Sequence, residues 1–310
     1  NRPRPPSKDE RAQMLQPAQR RCLISLSRGG ADASVVREFD VVSKQFVTDG
    51  FSLPESKSNA GWIDENRLYI GMAFDSTTLT TSGYARVVRE WKRGTPLSEA
   101  TLVYEGPVSD VGVGAIHDPT PGFERDFLSR AITFYTNELH VIQGGKPVKI
   151  DKPDDAEANV WREWLLVTLR TPWTVGGKTF PAGALVAAKF DDFMAGKRQF
   201  TALFTPTPRT SLSTYLNTKS ALVLTVLDNV RSRVFTARAA AGKWTVAPVG
   251  GLPDYGTIGV RAVDEQSSDD YWLTITDFLS PTALYLGSVG QDAREKLKQT
   301  PAFFDGSRHQ

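Results

Sequence analysis

One hairpin pattern occurs three times in this sequence and constrains the fold more than any other feature. Each copy has a run of β-branched and aromatic residues, a short turn, and a second such run, at residues 22–40, 222–238 and 271–286. The turns are rich in Asp, Asn, Ser, Gly or Pro, which bond to local backbone or fix its dihedral angles. The repetition predicts a chain built from copies of one β-sheet unit.

The strand-rich units recur along the chain at a nearly regular spacing. Their inner strands are predicted to start near Cys22, Trp62, Val111, Val160, Leu212 and Ile258. The intervals of about 40 to 52 residues match the period of four-stranded propeller blades. A single blade cannot bury both of its faces, so several blades must pack against one another. The sequence therefore predicts an all-β propeller with at least six four-stranded blades.

The two ends of the chain differ from the repeats. Residues 1–17 are rich in Pro, Arg and Lys and lack periodicity, which predicts a flexible leader with a short helix around residues 9–15. Residues 18–305 form the predicted β-propeller domain, and residues 306–310 form a tail. Near the end, residues 291–300 fit either a short helix or an outer strand.

Composition excludes several classes of partner. The 310 residues carry 37 Lys and Arg against 35 Asp and Glu, a net charge of +2, which argues against nucleic acid as the main partner. No apolar run approaches the ~18 residues that a membrane helix needs, so no membrane partner is expected. Cys22 is the only cysteine, which rules out an intrachain disulfide and leaves both a cytoplasmic and a periplasmic or secreted location open.

The sequence lacks the motifs of the common catalytic and metal sites. A Gly-x-Ser-x-Gly elbow does not occur, and Ser288 is its nearest imitation. The histidines, His117, His140 and His309, are not accompanied by a nucleophile motif, and no clustered metal ligands occur. We therefore expect no catalytic residue, no cofactor and no metal in this chain.

Five segments carry a resemblance to a known family. They are residues 25–32 (SLSRGGAD), 36–40 (VREFD), 91–97 (WKRGTPL), 227–230 (LDNV) and 276–281 (TDFLSP). In these segments the chain resembles the β-propeller domain of prolyl oligopeptidase-like serine peptidases, from about residue 20 to residue 305. The family propeller has seven blades, whereas six units are visible here, with the first blade shortened or replaced by residues 1–17.

The resemblance implies a role for the chain. In the family, an α/β-hydrolase domain follows the propeller, and the propeller limits access so that peptides are cleaved and folded proteins are excluded. The parent protein is then expected to be a serine-type oligopeptidase. Its hydrolase domain would be present in cis or as a separate chain. No position of this sequence matches a triad residue, so the chain alone is not expected to hydrolyse peptides.

The resemblance also implies where the functional surface lies. Turns between the second and third strands of each blade are expected to border the substrate cavity and the hydrolase domain. We predict these turns at residues 28–32, 78–83, 119–125, 172–178, 228–231 and 277–281. The candidate contact residues on them are Arg28, Arg125, Lys178, Arg231, Asp277 and Phe278. The basic members can pair with a peptide carboxylate or an acidic partner surface.

Two other functions remain open from the residues alone. A self-standing propeller that binds a peptide or protein would need no hydrolase domain. A propeller enzyme of the lyase or glycosidase kind would need carboxylates or histidines that converge in the central funnel.

Overall fold

The computed structural model describes residues 12–303, which form six antiparallel sheets and one short hairpin. The chain divides into two compact units, Asn1–Asp155 and Ala156–Gln310, with three of the sheets in each. The all-β class predicted from the sequence is confirmed. Residues 1–11 of the predicted leader, the predicted tail at 306–310 and His309 lie outside the described residues.

In each sheet of the first unit, paired strands are antiparallel and follow one another in chain order, apart from the last strand of the first sheet. The first sheet holds β1 Ala12–Met14, β2 Arg21–Ser27, β3 Ser34–Asp40, β4 Gln45–Phe46 and β5 Ser52–Ser56. The second holds β6 Asn59–Asp64, β7 Arg67–Gly71, β8 Val87–Lys92 and β9 Thr101–Glu105. The third holds β10 Gly112–Asp118, β11 Arg125–Ala131, β12 Asn137–Gln143 and β13 Lys146–Lys149. Short 3-10 turns lie at Ser76–Thr78 and Leu97–Glu99.

The second unit repeats this plan with one insertion. Its first stretch contains β14 Glu157–Trp161, β15 Trp164–Thr168, β16 Trp173–Val175, β17 Lys178–Phe180, β18 Leu185–Lys189, helix α1 Phe190–Met194 and β19 Thr201–Phe204. Strands β14, β15, β18 and β19 form the fourth sheet, and β16 and β17 form a separate hairpin. The fifth sheet holds β20 Thr210–Asn217, β21 Leu222–Asp228, β22 Arg231–Ala240 and β23 Lys243–Pro248. The sixth holds β24 Thr257–Ala262, β25 Asp270–Thr276, β26 Ala283–Ser288 and β27 Glu295–Gln299.

The first sheet begins earlier than the sequence pattern predicts. Strand β1 pairs with β2, with Met14 opposite Cys22, so Cys22 lies in the second strand and not in the inner one. The Trp62 indole Nε1 donates a hydrogen bond of 2.9 Å to the carbonyl of Gln13. The helix predicted at residues 9–15 is therefore wrong over Ala12–Met14. This short strand is held by its neighbours, and its own residues show no strand periodicity.

The outer strand of the first sheet is interrupted. Strands β4 and β5 both pair with β3, at opposite ends of it. Between them the chain loops out, and Glu38 of β3 bonds through its backbone to Val47 at 3.0 Å and to Phe51 at 2.9 Å. The two short strands thus occupy one strand position, and the sheet keeps the four-strand plan with a break in its last strand.

A buried carboxylate fills this break. The side chain of Glu38 is fully buried and accepts hydrogen bonds from Arg21 at 2.7 Å and from Arg93 at 2.8 and 3.0 Å. The Phe51 backbone N–H donates a further bond of 2.9 Å. Because buried charge is costly unless it is paired, this network holds the looped segment and the second sheet to β3.

Strand β7 contributes side chains to two hydrophobic cores of the first unit. Leu68 and Ile70 pack into a cluster with residues of the first sheet such as Leu23. Tyr69, on the opposite face, packs with Val113 of the third sheet. Alternate side chains of a strand point to opposite faces, so one strand supplies both interfaces. This arrangement buries both faces of the sheet.

Strand β21 does the same in the second unit. Leu222 and Leu224 belong to the cluster shared with the fourth sheet, which also contains Trp161 and Trp164. Val223 belongs to the cluster shared with the sixth sheet. The alternation explains why residues 222–226 are apolar apart from the buried Thr225 and lack the polar face of a surface strand.

None of the helices within residues 12–303 is both long enough and apolar enough to cross a membrane.

Candidate functional site

The connections between the strands of each sheet lie at two opposite ends of that sheet. Because the strands are antiparallel and sequential, the connection between the second and third strands lies at the same end as the link to the next sheet. We call this the linker end; the opposite end holds the first-to-second and third-to-fourth turns. The linker end of the first unit comprises residues 28–33, 57–58, 72–86, 106–111, 132–136 and 150–155. The linker end of the second unit comprises residues 169–184, 205–209, 229–230, 249–256, 277–282 and 300–303. The β16–β17 hairpin, which lies within the first of these segments, is not part of it.

Contacts at the linker end of the first unit join its first sheet to its second. Arg28 is highly exposed and lies 3.6 Å from Glu55, and Lys57 lies 3.5 Å from Asp32. The Lys57 ammonium also lies 5.3 Å from the centre of the Tyr84 ring. These are exposed ion pairs, which contribute little to stability, so their side chains are available to a partner.

Three of the predicted contact residues lie together at the linker end of the second unit. The Arg231 guanidinium stacks over the Tyr255 ring at 4.3 Å and donates a 3.3 Å bond to its hydroxyl. Gly256, which follows, lies against the backbone of Thr276 and the side chain of Asp277. The Tyr255–Gly256 link therefore brings Arg231 close to the turn that carries Asp277 and Phe278.

The Asp277 carboxylate shapes this turn. Its Oδ1 accepts hydrogen bonds from the backbone N–H groups of Leu279, at 2.8 Å, and of Ser280. Burial opposes the charged form, but these backbone bonds outweigh it and lower the pKa of Asp277. The turn is thus fixed from within, and it holds Phe278 out into solvent.

Exposed apolar side chains concentrate at the linker ends. The four most exposed large apolar residues within residues 12–303 all lie there, namely Phe278 (99%), Phe303 (93%), Val230 (91%) and Phe134 (83%). Single exposed apolar residues are ordinary, but repetition at one kind of turn marks an interaction surface. The sequence analysis identified only Phe278 among these four.

Val230 adopts a backbone conformation that valine disfavours. Asn229 and Val230 form the tight turn between β21 and β22, with φ of 46° and 63°. Such two-residue turns favour Asn-Gly, because a β-branched side chain is strained at positive φ. Its strain and its exposure make Val230 a candidate contact residue. The sequence already shows this feature, because a valine follows Asn229 at a turn position that favours glycine.

The placement predicted for Arg125 is wrong. Arg125 is the first residue of β11 and pairs with Asp118 of β10, so residues 119–124 join the first and second strands. Arg125 therefore lies at the end opposite to the linker end. The second-to-third connection of this sheet is residues 132–136, which present Phe134 and Tyr135 to solvent.

Lys178 is also separated from the other candidates. It lies in the β16–β17 hairpin, whose Trp173 and Phe180 rings lie 4.9 and 6.5 Å from the Phe200 ring. Phe200 belongs to the third-to-fourth connection of the fourth sheet. The hairpin thus reaches away from the linker end, and Lys178 faces a cavity described below.

The two described histidines lie in the first unit. His117 Nδ1 lies 2.9 Å from Asp126 Oδ1, and Tyr69 also bonds to Asp126. Burial, then the charge of Asp126, raises the pKa of Tyr69. Burial lowers the pKa of His140. Residues 12–303 contain no group of three or more His, Cys, Asp or Glu side chains placed to hold a metal ion.

Comparison with known proteins identifies the family of the chain. The family described as prolyl oligopeptidase, N-terminal beta-propeller domain, matches residues 10–300. An uncharacterized peptidase of Sinorhizobium fredii is 33% identical over 301 residues, covering 94% of this chain and 41% of that protein. An uncharacterized peptidase of Rickettsia prowazekii is 28% identical over 284 residues, covering 86% of this chain and 39% of that protein.

A solved structure agrees with the sequence comparisons. The post-proline cleaving enzyme from Rickettsia typhi superposes with a TM-score of 0.84 at 25% identity, over 95% of this chain and 45% of that one. The chain spans about two fifths of the length of the curated relatives it matches. The predicted β-propeller class is confirmed, and the chain corresponds to the N-terminal part of these peptidases. The chain therefore belongs to the family of prolyl oligopeptidase N-terminal β-propeller domains.

Proposed function

We propose that this chain is the substrate-gating domain of a serine-type oligopeptidase and docks onto an α/β-hydrolase domain through its linker ends. The observation that carries the proposal is the concentration of exposed apolar side chains at those ends. Covering exposed apolar groups with a partner lowers the free energy, so these groups favour association. Family membership supplies the partner, because the matched relatives extend well beyond the region that this chain covers.

Charged side chains at the same ends fit a docking role. Arg28 and Arg231 lie at the linker ends of the first and second units, and both are exposed. Charges around an apolar contact direct the approach and orientation of a partner more than they add affinity. The proposal assigns apolar contact to residues such as Val230 and Phe278, and orientation to the arginines.

The proposal places the chemistry in the hydrolase domain. Serine-type hydrolysis needs a nucleophile, a base and an orienting carboxylate, and the proposal takes all three from that domain. This chain would limit which molecules reach them, so that short peptides enter and folded proteins do not. Peptides are therefore the proposed substrate class of the assembled protein.

The docking surface is tested with matched apolar substitutions. A hydrolase domain of this family is supplied in trans or by fusion, and binding and peptide turnover are measured. We expect Val230→Asp to weaken binding by about 30-fold or more, the loss typical of a central contact residue. Val42→Asp is the control, because Val42 is an exposed valine in the turn after β3, at the opposite end. Asp tolerates positive φ better than valine, so the first variant should remain folded.

Charge reversals provide a second comparison. Arg231→Glu at the linker end should slow association and reduce turnover, whereas Arg125→Glu at the opposite end should leave both nearly unchanged. Equal effects from the two ends would contradict the proposed surface. Failure of the unmodified chain to bind any hydrolase domain would instead favour a self-standing module that binds a peptide or protein.

A further inference from the structure

We infer that the second unit contains a separate binding site for a small molecule that combines an anionic group with a planar ring. The site is a cavity of about 480 Å³ between the β16–β17 hairpin, the start of the fourth sheet's outer strand, and the connection that follows α1. Ligand pockets of drug-sized molecules have volumes of roughly 300–1,000 Å³. The cavity lies beside the third-to-fourth connection, away from the linker end, so it is distinct from the proposed docking surface.

Positive charge dominates the lining of the cavity. Four cationic side chains line it, Lys178, Lys189, Lys197 and Arg198, together with one carboxylate, that of Asp192. A concave surface lined by one sign of charge focuses its field and raises the local concentration of the opposite ion. The lining therefore favours an anionic ligand.

Two of these cations are available to a ligand. Lys178 is exposed and engages no carboxylate within residues 12–303. Lys197 lies 2.8 Å from Asp192, but both side chains are largely exposed. Exposed pairs of this kind contribute little to stability, so an incoming anion competes for Lys197 at little cost. Lys189 is less available, because it pairs with Glu163 at 3.1 Å.

Aromatic side chains provide the flat apolar part of the wall. Trp164, Phe193 and Phe200 are buried and line the cavity. The Lys189 ammonium lies over the Trp164 ring and the Arg198 guanidinium over the Phe193 ring, each 4.3 Å from the ring centre. Ala187 and Ala188 of β18 also line the cavity. An apolar lining with a few placed charges is typical of sites for small organic molecules. A planar ring suits this wall, because it can stack on the flat guanidinium of Arg198 that covers the Phe193 ring.

The hairpin is shaped to close over the cavity. Gly176, at its tip, has φ of 59°, and a Cβ at this position would collide with the backbone carbonyl of Arg198. Only glycine therefore allows the hairpin to approach the connection after α1 so closely. Among the six sheets of residues 12–303, only the fourth carries such an inserted hairpin.

The test measures binding of simple probes to the 310-residue chain by isothermal titration calorimetry. The probes are phenyl phosphate, benzoate, inorganic phosphate and phenol. We expect phenyl phosphate or benzoate to bind at least about tenfold more tightly than inorganic phosphate or phenol, because inorganic phosphate lacks the ring and phenol lacks the charged group. The tighter of the two anionic ring compounds identifies the anionic group as phosphate or carboxylate.

Substitutions then locate the site. Lys178→Ala should weaken binding about fivefold to tenfold, the effect of removing one exposed charged hydrogen bond. Thr201→Trp should abolish binding, because Thr201 is exposed on β19 and lines the cavity, so a large ring there fills it. Lys146→Ala, at an exposed lysine in the first unit, is the control and should bind as the unmodified chain does.

These binding measurements use the 310-residue chain alone, so the test of this site does not need a hydrolase domain. Absence of binding by every probe, binding of neither phenyl phosphate nor benzoate more tightly than inorganic phosphate, or unchanged binding by Lys178→Ala would overturn the inference. Circular dichroism verifies that Thr201→Trp is folded; if it is not, Lys178→Glu takes its place, with abolished binding expected. Because the docking measurement uses other residues and another ligand, either proposal can fail alone.

Discussion

At the scale of single residues, Glu38 shows how one buried charge is made tolerable. Burial opposes its ionisation, but the bonds from Arg93, Arg21 and the Phe51 backbone outweigh burial and lower its pKa below the usual value of 4.5. A lowered pKa in the folded state means that ionisation stabilises the fold. This contribution is complete above the usual pKa and is lost as the pH falls through the lowered value.

We expect Glu38→Gln to lower the free energy of unfolding at pH 7 by about 2–4 kcal/mol, since it leaves Arg21 and Arg93 without their buried partner. The difference from the unmodified chain should shrink as the pH falls below 4.5. Urea denaturation followed by tryptophan fluorescence measures both effects. Glu55→Gln removes the exposed partner of Arg28 and should cost at most about 1 kcal/mol. Equal losses in the two variants would contradict the assigned role of Glu38.

At the scale of elements, the turn between β11 and β12 shows why one turn was assigned wrongly. Residues 132–136, Ile-Thr-Phe-Tyr-Thr, contain no Gly, Pro, Asp or Asn and resemble a strand. The turn is formed by hydroxyl groups instead. Thr133 Oγ1 accepts from the backbone N–H groups of Tyr135 and Thr136, both at 3.1 Å, and bonds to the Thr136 hydroxyl at 2.7 Å. Threonine turns of this kind give a weaker sequence signal than glycine or proline.

We expect Thr133→Val, which keeps the shape and removes the hydroxyl, to destabilise the first unit by about 1–2 kcal/mol. Faster hydrogen exchange at residues 134–136 should accompany the loss. Thr245→Val, at an exposed threonine of β23, is the control and should change stability by less than about 0.5 kcal/mol. An unchanged exchange rate at residues 134–136 would show that the hydroxyl does not hold the turn.

At the scale of the whole molecule, the repeat itself was readable from the sequence. The hairpins around residues 28–32, 228–231 and 277–281 occur as predicted, because Gly, Asp, Asn and Pro mark their turns. Strand β1 was missed, because its pairing with β2 and the bond from Trp62 hold it in place. That the predicted contact residues bind a partner stays a prediction. Arg231, Asp277 and Phe278 lie at the linker end of the second unit. Lys178 lies apart from them, in an inserted hairpin whose position the sequence does not show.

We expect the isolated chain to show no peptide turnover, because the proposal takes every catalytic group from the hydrolase domain. A Z-Gly-Pro reporter substrate, assayed with the purified chain alone and again with a hydrolase domain of this family, measures this. Turnover should arise only in the second assay and should be blocked by a serine-directed inhibitor. Inhibitor-sensitive cleavage by the chain alone, surviving repurification, would contradict the assignment.

Strands β7 and β21 each supply side chains to two cores, and this limits where such a chain can gain or lose residues during evolution. Deleting one residue within either strand would exchange its two faces, so each core would receive the side chains meant for the other. Tyr69 would then face the cluster that now holds Leu68 and Ile70. Insertions and deletions should therefore be tolerated in the connections, as the β16–β17 hairpin illustrates, and be eliminated by selection from the middle strands.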